Sequence, residues 1–106
     1  MTADPTMDPR AVRARVTFLP ASAGGRATPA MSGIRPILRL GEVLTSCVVR
    51  SAEGIESFQP ERPYDVDIEI VFWHEYGNLF SPEAPVRLYD GSRLIATGEY
   101  LSLDED

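Results

Sequence analysis

Asp65-Val66-Asp67-Ile68-Glu69-Ile70-Val71-Phe72-Trp73 alternates between acidic and apolar residues for its first six positions. A two-residue period is that of a β-strand with one face buried, so Val66, Ile68, Ile70 and Phe72 face a core while Asp65, Asp67 and Glu69 face outward. Val71 and Trp73 make the far end apolar on both faces, which predicts cover on both sides there. The three acids share one strand face. That arrangement reads as a solvated edge in preference to a calcium or acid–base site.

The same period appears upstream, where Val12, Ala14, Val16 and Phe18 alternate with Arg13, Arg15 and Thr17 and predict a strand over 12–19. Strands are also predicted over 37–40 and 45–50, separated by Gly41-Glu42, with a short strand or bulge over 55–58. Segments 86–89 and 93–101 flank Asp90-Gly91-Ser92, and Asp-Gly supplies the positive φ of a tight hairpin. Two stretches, 20–33 and 74–85, are rich in Gly, Pro and polar residues and sustain neither period, so both are expected to be long loops. No stretch of ten residues has a helical period. Short strands joined by turns imply an all-β antiparallel sandwich or barrel, with residues 1–10 a tail and 11–103 one domain.

Sixteen acids oppose ten bases, all arginine and none lysine, for a net charge of −6. This balance disfavours nucleic acids and anionic membranes as partners, although Arg10, Arg13, Arg15 and Arg26 in the first quarter leave room for a local basic face. The single cysteine, Cys47, lies in an apolar run and is expected to be a buried thiol in a reducing compartment. No apolar leader or run of 18 apolar residues is present, so the expectation is a cytoplasmic protein without a membrane segment.

Residues 24–29, Gly-Gly-Arg-Ala-Thr-Pro, are followed by Gly33-Ile34-Arg35-Pro36, Glu53-Gly54, Pro60, the long alternating strand, the Asp90-Gly91-Ser92-Arg93 hairpin and Gly98. This order resembles the C-terminal barrel domain of elongation factor Tu and related translation GTPases, over roughly residues 12–101. The resemblance implies a closed six-stranded antiparallel β-barrel standing alone, without its GTPase domain. It also implies contacts to a partner or to the T stem of tRNA at Arg26, Ser46, Asp90 and Gly91. Ala27 and Ile37 replace the family's histidine and glutamine, and the loop at 74–85 is longer than the family's. The glycines and prolines of the signature read first as structural, shaping a strand connection.

No phosphate-binding Gly-rich loop with its lysine is present, so no nucleotide is expected. One histidine and one cysteine do not assemble an ordinary zinc site, and no catalytic residue, metal or cofactor is expected. Trp73-His74-Glu75-Tyr76 is either a barrel rim packed by its own aromatics or a recognition patch. With Leu79 and Phe80 in the same loop, Trp73, His74, Tyr76 and Phe80 form a candidate protein-contact loop. The function these residues point to is a non-catalytic binding module with a protein partner; the alternative is an RNA-binding domain using the Arg26 face.

Overall fold

The computed structural model describes residues 10–24 and 29–101. Arg26 and most of the Gly-Gly-Arg-Ala-Thr-Pro signature lie outside the described residues, as do positions 1–9. The strands are β1 (Arg10–Phe18), β2 (Ala30–Met31), β3 (Ile37–Leu40), β4 (Val43–Ser51), β5 (Ser57–Phe58), β6 (Pro63–Ile70), β7 (Pro85–Asp90) and β8 (Arg93–Tyr100). Six of them close into a barrel in the order β1-β6-β4-β3-β7-β8, every neighbouring pair antiparallel. The fold is therefore the closed six-stranded antiparallel barrel expected above.

Alternation fills the barrel. Val12, Ala14, Val16 and Phe18 on β1 are buried together with Val66, Ile68 and Ile70 on β6, Cys47 and Val49 on β4, and Leu88, Ile95 and Ala96 on β7 and β8. At one end β2 and β5 pair as a small separate sheet and deliver Phe58, which stacks on Phe18 at 5.2 Å and meets Tyr64 edge-on at 5.2 Å. The loop expected over 20–33 thus contains a short 3-10 turn, Ala21–Ala23, and a strand. Gly91 has φ +64° in the two-residue hairpin loop between β7 and β8, as its Asp-Gly pair predicts.

Two expectations need correction. Strand β6 is flanked by β1 and β4, so its acids lie on no edge. Arg13 Nε donates to Asp67 Oδ1 at 2.7 Å, Arg15 Nε to Asp65 Oδ1 at 2.8 Å, and Arg50 Nη1 to Glu69 Oε1 at 2.7 Å. Register explains this: Arg13 faces Asp67 and Arg15 faces Asp65 directly across the β1–β6 ladder. The second correction concerns length. The strand starts at Pro63 and ends at Ile70, and Trp73–Tyr76 then forms a short helix, α1, continued by a 3-10 turn at Gly77–Leu79. Strand β1 begins at Arg10, which pairs with Ile70.

Candidate functional site

Where β6 stops, the chain turns across the mouth of the barrel. Val71 N–H donates to the Ser46 carbonyl at 3.3 Å, and Glu75 and Tyr76 N–H groups both donate to the Phe72 carbonyl at 3.0 Å, which starts α1. Trp73 tucks beneath it, meeting Phe80 edge-on at 5.8 Å; Phe80 in turn meets Tyr100 at 4.7 Å. The Arg10 guanidinium lies 5.2 Å from the Trp73 ring centre, within cation–π range. Trp73, Tyr76 and Phe80 therefore all pack as rim against the core, and of the three only Tyr76 also lines the groove described next. His74 is exposed on α1.

This turn leaves Phe72 outside. Parity with Ile68 and Ile70 predicts that it points into the core; ending the strand at Ile70 breaks that parity, and Phe72 is 47% exposed. Opposite it, Leu44 is 54% exposed on the outer face of β4, two residues from the exposed Ser46. Ile37, Leu44, Thr45, Ser46, Phe72, Glu75 and Tyr76 line a groove of about 290 Å³. Its apolar walls are Ile37, Leu44, Phe72 and Tyr76. Thr45, Ser46 and Glu75 add two aliphatic hydroxyls and one carboxylate to the lining.

Ile37 pairs with Ser46 on one side and Tyr89 on the other, so three strands present one row of side chains across the outer surface. Beyond Ile37 a cleft of about 160 Å³ is lined by Arg35, Pro36, Tyr89, Asp90 and Gly91 among others. The structure thus brings Ser46, Tyr76, Asp90 and Gly91 to one surface, with Ile37 as the shared wall. It separates Trp73 and Phe80 from that set. Leu44, Phe72 and Ile37 were missed as functional residues, although outward parity with Ser46 marks Leu44 in the sequence.

The interior offers little chemistry. Cys47 Sγ contacts the Pro36 carbonyl at 3.5 Å, and burial pushes its pKa up to about 12, far from a reactive thiolate. Tyr100 is raised to about 12, first by burial and then by the neighbouring Cys47, and its buried hydroxyl has no hydrogen-bond partner among the described residues. On the outer face, Arg15's hydrogen bond and charge hold the Asp65 carboxyl below its ordinary range. Hydrogen bonds from the same pairs raise Arg13 and Arg15. Among the described residues no three His, Cys, Asp or Glu side chains are placed to hold a metal ion. No described helix is long and apolar enough to cross a membrane. No protein-family model matches the chain, and no curated protein matches it.

Proposed function

We propose that this barrel is a non-catalytic binding module acting through protein contacts in the cytoplasm, of the kind that the translation-factor C-terminal barrels exemplify. One observation carries the reading. Of the four large apolar side chains exposed among the described residues, Leu44 and Phe72 rim one groove. A third, Leu79, approaches the β3–β4 turn beside it, its Cβ 3.9 Å from the Cβ position of Gly41. Clustered exposed apolar residues rimmed by polar groups mark interaction sites more often than scattered ones do.

The groove is shallow and slightly smaller than the usual pocket for a small molecule, and it suits one or two side chains of a partner. RNA binding through the Arg13/Arg15 face is weakened as an alternative, because both guanidinium groups are already bound to carboxylates. The closed six-stranded barrel supports the translation-factor comparison at the level of architecture.

Site-specific photo-crosslinking in the source cells tests the reading. A benzoyl-phenylalanine at position 46 should capture one or a few discrete proteins, and the same probe at the exposed Arg62 should not. Equal capture at both positions, no capture, or capture abolished by ribonuclease would count against a protein-binding groove.

A further inference from the structure

Among the described residues, three arginines on this surface lack the carboxylate partners found elsewhere on the barrel. Arg35 and Arg87 make no ion pair among the described residues, and Arg39 donates through Nε to the Gly41 carbonyl at 3.0 Å, with no carboxylate at its terminal nitrogens. All three point outward, alternating with buried Pro36, Leu38, Val86 and Leu88. Arg39 sits directly opposite Leu44 across the β3–β4 ladder. On the other side, Arg39 and Arg87 are the next positions along β3 and β7 after the Leu38–Leu88 pair. Like charges facing each other on neighbouring strands are destabilising, and an anion bound between them offsets the repulsion. In a chain with six acids in excess, none of the described ones fills that position.

We propose that this surface receives an extended acidic segment of a partner protein, with one bulky apolar side chain seated among Leu44, Phe72 and Tyr76 and a carboxylate bound by Arg39 and Arg87. The inference rests on the protein-binding reading above and adds the partner's chemistry. Cross-strand neighbours have Cβ atoms about 5 Å apart. Same-face residues of an extended chain are about 7 Å apart. An apolar residue and an acid two positions apart therefore match Leu44 and the arginine pair. Glu75 and Asp90 stand at the margins of the groove and the cleft, so acids are favoured at the arginine pair and disfavoured at both ends. An apolar slot beside the arginines, together with the net charge of −6, favours a carboxylate peptide over a phosphodiester chain.

Panning the full chain against a phage-displayed library of random 12-residue peptides tests this. Enriched peptides should carry Leu, Ile, Phe or Met two positions from Asp or Glu. Synthetic copies should lose about tenfold or more in affinity with the Arg39→Glu/Arg87→Glu variant, and a similar amount with Leu44→Ser. Thermal melts of both variants establish that they are folded. Enriched peptides that need Leu44 but lack acids, or ignore the charge reversal, overturn the acidic-partner inference and leave the groove reading standing. Absence of enrichment, or peptides indifferent to Leu44→Ser, overturns both. A labelled 12-nucleotide oligouridine that binds more tightly than the peptides and is released by the charge reversal assigns the arginines to phosphate, and also overturns the proposal.

Discussion

On the β1–β6–β4 side of the barrel, Arg13, Arg15 and Arg50 each meet a carboxylate of β6, whereas on the β3–β7 side Arg35, Arg39 and Arg87 meet none among the described residues. Both surfaces come from the same alternating strands over the same core. The difference lies in what register places opposite each arginine: an acid across β1–β6, but Leu44 opposite Arg39 and Thr97 opposite Arg87. A surface whose charges are satisfied internally has little to offer a partner. One that pairs exposed Leu44 and Phe72 with uncompensated arginines has both apolar area and charge to give.

The contrast between inward and outward apolar residues should show the largest effects. Ile68→Ala empties a fully buried position on β6, and should cost about 4 kcal/mol in urea unfolding. Leu44→Ser, on the open face, should change stability by less than about 0.5 kcal/mol. A loss above about 2 kcal/mol for Leu44→Ser would mean that the groove wall is packing and not a surface.

The seams give the next test. A Cβ on Gly98 of β8 would overlap the Arg15 carbonyl oxygen and lie 2.8 Å from Val16 Cα, so Gly98→Ala has to push β8 away from β1. Backbone cannot yield as a side-chain tip can, and the expected cost is about 3 kcal/mol by the same measurement. Gly98→Ala at wild-type stability would show that the β1–β8 seam is looser than its ladder suggests.

Much of this architecture is legible in the sequence. The alternation around Val12–Phe18 and Val66–Ile70 gives the inward faces correctly, and Asp90-Gly91-Ser92 gives the hairpin, because both signals are local. The groove is not local. Phe72 continues the parity of Ile68 and Ile70, and nothing adjacent in sequence announces that the strand ends at Ile70; capping the barrel mouth with Trp73 and Phe80 overrides that parity. The ion pairs were equally hidden. Asp65, Asp67 and Glu69 read as a solvated edge until register sets Arg15 and Arg13 opposite the two aspartates. Of the candidate contact residues, Ser46, Asp90, Gly91 and Tyr76 come together only through the pairing of Ile37 with both Ser46 and Tyr89.

A smaller effect is expected under the cap. The Tyr100 hydroxyl is buried without a partner among the described residues, so Tyr100→Phe removes an uncompensated polar group while keeping the ring against Phe80. The variant should be more stable by about 1 kcal/mol. A loss of similar size in thermal or urea unfolding would show that the hydroxyl is satisfied in solution.

The smallest effect bears most directly on the two faces. Asp65 has its pKa lowered in the folded protein by Arg15, through the hydrogen bond and the charge, with Arg13 adding to it. A carboxylate depressed on folding contributes its stability in full above the unfolded value of about 3.9, and that contribution disappears as pH falls through the lower folded value. The wild-type urea midpoint should therefore drop more between pH 5 and pH 3 than that of Asp65→Asn. The pair is solvent-exposed, so the gap should be slight and should narrow further at high salt. On the open face no carboxylate of the described residues is held by Arg39 or Arg87, and Arg39→Gln/Arg87→Gln should leave the acid limb parallel to wild type. If that double variant instead flattened the acid limb as much as Asp65→Asn does, a carboxylate would already be bound to those arginines. The open face would then be satisfied from within the chain, and the electrostatic distinction between the two sides of the barrel would be lost.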